Sequence, residues 1–120
     1  MPPMFRPGDI VFAPWRAEDS SEKYRYMVVL AWSEALGLYA MWVGSVKEGK
    51  QGGLYAFTEN EREQAGFLVP SRFDPHRVIR FLPEHIRRGI VHLQPGRLSG
   101  KAMIRIETAV RRAGPIPEDY

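Results

Sequence analysis

Tyr24-Arg25-Tyr26-Met27-Val28-Val29-Leu30-Ala31-Trp32 decides the fold class. Aromatic and β-branched residues crowd this stretch, and it holds too few polar positions for a strand with one face in water. It therefore reads as a central strand covered on both faces. Leu36-Gly37-Leu38 leads into a second apolar run, Tyr39-Ala40-Met41-Trp42-Val43, close enough to form a hairpin with the first. Upstream, the turn Pro7-Gly8-Asp9 precedes Ile10-Val11-Phe12-Ala13, a short strand bounded by Pro14.

The polar stretch 16–23 has no periodicity and reads as a loop, and Gly49 to Gly53 as a flexible turn. Leu54 to Phe57 and Phe67 to Val69 are further strand candidates. Thr58 and Glu61 have capping-box spacing, predicting a short helix or turn over 59–65 that Gly66 closes. Arg77 to Leu82 and Gly89 to Leu93 are predicted as the last strands, with a single turn at Pro83 and a stop at Pro95-Gly96. Ser99 caps the one long helix, 100–112, on which Met103, Ile106 and Val110 recur at helical spacing. The tail from Ile116 to Tyr120 is short, acidic and expected to fray. The pattern predicts a mainly β domain spanning 1–120, with its core over about 5–112: a small barrel or sandwich with a C-terminal helix packed on it.

The formal charge is only +3, but residues 66–112 hold ten Lys or Arg against three Asp or Glu, and nine of those ten are arginine. Arginine suits planar, bidentate contact with phosphate, so this segment is a candidate phosphate-binding surface. Inside it lies Ser71-Arg72-Phe73-Asp74-Pro75. On an extended backbone, Arg72 and Asp74 point to the same side. A guanidinium can hold a phosphate while a carboxylate takes a proton from a hydroxyl, which equips the pair to move a phosphoryl group without a metal. An ordinary surface ion pair is the competing explanation. His76, two residues on, is a second candidate base. Trp15 and Tyr26 flank the polar loop and are candidates for stacking on unpaired bases, whereas Trp32 and Trp42 are expected in the core. The chain has no cysteine, and its histidines show no ligand-like spacing, so no metal or cofactor is expected. Without a leading apolar stretch, the expected setting is the cytoplasm, away from a membrane.

Several segments together resemble the PemK/MazF toxins, the ribonuclease components of toxin–antitoxin systems. They are Gly8-Asp9-Ile10-Val11, Arg25 just before Met27-Val28-Val29-Leu30, the Gly44-Ser45 step, Gly66-Phe67-Leu68 before Ser71, and a strand-turn-helix ending at Arg112. Arg72-Phe73-Asp74 matches the Arg-x-Asp of the plasmid-type PemK branch. The resemblance implies a dimeric SH3-like barrel that cuts single-stranded RNA without a metal, leaving a 2′,3′-cyclic phosphate and a 5′-hydroxyl. It also implies growth inhibition that a cognate antitoxin would silence by covering the basic groove. In that scheme Asp74 is the general base, Arg72 the general acid that also steadies the phosphate, and Arg25 a phosphate ligand in the same groove. Ser45 would donate to a phosphate oxygen, and Asp19 would lie in the loop covering the site. The chain departs from the family in two places: Arg-Pro becomes Arg25-Tyr26, and the Thr of the Thr-Ser step becomes Gly44, which removes a hydroxyl donor. A barrel that binds RNA or a protein without catalysis is the alternative, and an adaptor for peptides a third.

Overall fold

The computed structural model describes residues 4–16, 22–47 and 53–120. Six strands form one sheet: β1 (Asp9–Arg16), β2 (Glu22–Ser33), β3 (Gly37–Ser45), β4 (Ser71–Phe81), β5 (His92–Arg97) and β6 (Glu118–Asp119). Their spatial order is β5-β1-β2-β3-β4-β6, antiparallel except for the β4–β6 pair. Hydrogen bonding runs from β5 at one edge to β6 at the other, so the sheet is not closed into a barrel.

The β2–β3 turn is tight because the Ser33 hydroxyl accepts from the Ala35 and Leu36 amides. Gly37 follows with φ 103°, and a Cβ there would sit 2.1 Å from the Phe81 carbonyl oxygen. Only glycine fits that approach.

Strand alternation sorts the apolar residues into two clusters. Ile10, Val28, Met41, Val43 and Phe73 share one face with Phe57, Phe67 and the helix residues Ala102, Met103 and Ile106. Val11, Ala13, Met27, Val29, Leu38, Ala40, Ile79 and Phe81 share the other with Phe5 and Ile86. β2 is buried on both faces only over Met27, Val28 and Val29; Tyr24, Tyr26 and Ala31 are exposed, so the predicted double cover holds for the middle of the strand alone. Among the described residues three α-helices accompany the sheet: α1 (Glu59–Ala65), α2 (Pro83–Arg87) and α3 (Gly100–Ala113). The predicted caps form. Thr58 and Glu61 bond reciprocally at α1, and the Ser99 side chain accepts from the Ala102 amide at α3. Arg105 of α3 reaches the Glu61 carboxylate and donates to the Ala56 carbonyl at 3.2 Å, tying α3 to α1.

Four expectations are corrected. Phe67 to Val69 is no strand, because the Gly66 and Phe67 amides turn back to the Arg62 carbonyl and leave Leu68 and Val69 exposed. At the next segment, Gly53 to Tyr55 form a 3-10 turn, with only a bridge from Ala56 to Arg72 beyond it. β5 starts later than predicted and continues through Pro95, which an edge strand tolerates because its amide side needs no partner. The tail does not fray: Asp119 makes a two-point ion pair with Arg80 at 2.7 and 2.8 Å, and Tyr120 packs on Phe81 and His85. The predicted loop 16–23 and the turn from Gly49 fall largely outside the described residues.

Candidate nucleic-acid site

The second cluster's sheet face changes character along the strands. Leu38, Ala40, Ile79 and Phe81 make its far end apolar, whereas the near end carries Trp42, Arg25, Arg72, Asp74 and Arg77. Register explains the gathering. Met27 pairs with Trp42, so Arg25, two residues back on β2, lies on the same face beside Gly44. Gly44 in turn pairs with Arg72, and Phe73 pairs with Val43 with its ring buried on the opposite face. Arg72 and Asp74 therefore share the Trp42 face, as their spacing predicts.

A bulge adds the third arginine. Val43 pairs with Phe73 and Met41 with Val78, so the four residues Asp74 to Arg77 stand opposite Trp42 alone. The excess length folds locally, with the Asp74 Oδ1 accepting from the His76 amide at 2.9 Å and Pro75 fully buried. Arg77 is thereby swung back over the indole. The Arg25, Arg72 and Arg77 guanidinium carbons lie 4.8, 5.1 and 5.1 Å from the Trp42 ring centroid. Each such contact contributes about 0.5–1 kcal/mol at a partly exposed site.

Gly44 is what admits the indole. A Cβ there would lie 2.1 Å from Trp42 Cη2, so the ring occupies the volume that any side chain at 44 would need.

The electrostatics leave the cluster two positive charges in excess. Asp74 pairs with Arg77, its Oδ2 lying 3.3 Å from Arg77 Nε. Arg25 donates from Nη1 to the Val43 carbonyl at 3.2 Å, and its buried Nε finds no hydrogen-bond partner among the described residues. Burial, and then the positive charge of Arg77, push the Arg25 pKa below its ordinary value. An anion seated among these groups would supply Arg25 with a counter-charge, and its oxygens would meet guanidinium donors already in place.

The other predicted residues are placed differently. Trp15 lies on the cluster's face, half-buried and packed against the second apolar cluster. Tyr26 lies on the opposite face, with its ring 5.1 Å from Phe12 and 5.7 Å from Phe67. Ser45 is exposed and, by alternation, on the side of Val43, away from Trp42. The His76 side chain is exposed, and only its backbone serves Asp74. Asp19 is outside the described residues. Trp42 and Arg77 are the residues that the sequence reading left out of the site. Trp42 is buried, 9% exposed, as predicted, but guanidinium groups form part of its wall. No local spacing signals either one, because both join the site through the β3–β4 register and its bulge.

Among the described residues no group of three His, Cys, Asp or Glu side chains is placed to hold a metal ion, and no helix is long and apolar enough to cross a membrane. Comparisons with family models, curated proteins and solved structures found no match for this chain.

Proposed function

We propose that this chain is an endoribonuclease of the PemK/MazF type that cuts single-stranded RNA at the Arg25–Arg72–Arg77–Asp74 cluster, on a curved sheet of SH3-like design. The convergence of three guanidinium groups on one tryptophan, with a carboxylate on the same face, carries the proposal. Each part has a task in the reaction. Arg25 and Arg72 hold the scissile phosphate. Asp74 takes the proton from the ribose 2′-hydroxyl, and the 2′ oxygen bonds to phosphorus as the phosphorus–5′ oxygen bond breaks. Arg72 gives a proton to the departing 5′ oxygen and is reprotonated through solvent by the carboxylic acid formed at Asp74. The products are a 2′,3′-cyclic phosphate and a 5′-hydroxyl, and the steps balance without a metal or cofactor. Guanidinium donors fixed before the substrate arrives are the electrostatic arrangement that such a charge-building step requires. On this reading the chain acts in the cytoplasm as a homodimer, and an acidic antitoxin segment silences it by occupying the phosphate positions.

A second reading, a sheet that binds RNA without cutting it, is favoured by one observation: Trp42 fills the place of the family's threonine, and the hydroxyl donor is gone. Induced expression in a bacterial host separates the two. Growth should stop with the natural chain and continue with Asp74→Asn, which keeps an acceptor for the His76 amide but cannot take a proton, and with Arg72→Gln. Growth arrest by folded Asp74→Asn would refute the catalytic assignment.

A further inference from the structure

Arg77 has two possible partners in this cluster and is weakly committed to the one it has. Its contact with Asp74 is a single approach of 3.3 Å from Nε, and the side chain is 53% exposed. A pair of that kind is worth about 0–1 kcal/mol. The Nη atoms make no hydrogen bond to another described residue, and the guanidinium carbon lies 5.1 Å from the Trp42 ring centroid, which Arg25 and Arg72 also approach. Asp74, by contrast, is 21% exposed and has both oxygens engaged, one by the His76 amide and one by Arg77. A phosphodiester among the arginines would offer Arg77 a second anion, open to bidentate contact and beside the same ring.

We propose that Arg77 exchanges partners: it pairs with Asp74 in the empty site and with an RNA phosphate in the filled one, so that a bound strand frees the carboxylate oxygen that Arg77 occupied. The inference rests on the reading that the cluster binds RNA phosphates. It adds that substrate binding vacates one oxygen of Asp74 and that Arg77 is the third phosphate ligand. Trp42 gives the moving guanidinium a surface to slide on, because the ring attracts a cation at any position over its face.

The test is a double-mutant cycle on binding rather than cleavage. The probe is a single-stranded 2′-O-methyl RNA hexamer, which lacks the attacking hydroxyl. Affinity is measured for the natural chain, Asp74→Asn, Arg77→Gln and the double variant, with thermal unfolding as the check on folding. Arg77→Gln should weaken binding. Asp74→Asn should tighten it, and by about threefold more in the natural background than beside Gln at 77, because only there does it set Arg77 free. Equal tightening in both backgrounds, or an Arg77→Gln variant that binds as well as the natural chain, would overturn the exchange. Failure of the hexamer to bind at all would sink both the exchange and the proposed function. Coupling with uncut natural RNA would leave the exchange standing and remove only the cleavage.

Discussion

Trp42 and Gly44 act as one unit, since the indole lies in the space that a side chain at 44 would fill. Gly44→Ala must therefore drive the ring off its three arginines or distort β3. Overpacking of this kind costs about 1–3 kcal/mol. The expected result is a lower denaturant midpoint together with weaker RNA binding, measured on the same preparation. A variant with unchanged midpoint and affinity would show that the ring does not organise the cluster. Arg25 is the residue whose place is hardest to explain by stability: it is half-buried, its Nε has no hydrogen-bond partner among the described residues, and the Arg77 charge that acts on it has the same sign. Groups held against their own electrostatic preference concentrate at binding sites.

Two elements do work that their sequences hide. The β4 bulge places Arg77, and no apolar pattern marks it, because Asp74-Pro75-His76 reads as a turn that ends a strand rather than a kink within one. The C-terminal tail was equally illegible. Two residues of strand cannot be recognised from periodicity, and the parallel pairing of Glu118 and Asp119 with Ile79 and Arg80 depends on a partner 39 positions away. That pairing makes a pH prediction. The Arg80 hydrogen bonds and charge hold the Asp119 carboxyl below its ordinary pKa. A carboxyl lowered on folding stabilises the docked tail above its unfolded pKa and loses that contribution as pH falls through its folded value. The tail should therefore stay docked at neutral pH and release in acid below about pH 4. The Tyr120 amide resonance reports this directly. Asp119→Asn should remove that acid dependence, and a Tyr120 signal unchanged down to the acid limit would contradict the assignment.

Across the whole molecule, one sheet face has two characters, an apolar end that builds the core and a cationic end where three arginines gather on Trp42. The core was legible because alternation and burial follow directly from residue type, as in the doubly covered middle of β2 and the amphipathic α3. The shared face of Arg72 and Asp74 was legible for the same reason. Their partners were not, because which strands meet is a long-range choice that no local spacing encodes. Arg25, Trp42 and Arg77 come together only through the β2–β3 and β3–β4 registers. The central claim is that this assembly breaks phosphodiester bonds. Its most direct test is incubation of purified protein with a long single-stranded RNA in EDTA, with Asp74→Asn alongside and the new ends identified chemically. The account predicts cuts bearing 2′,3′-cyclic phosphate and 5′-hydroxyl ends that vanish in the variant. Intact RNA with the natural chain, or equal cutting by folded Asp74→Asn, would contradict it.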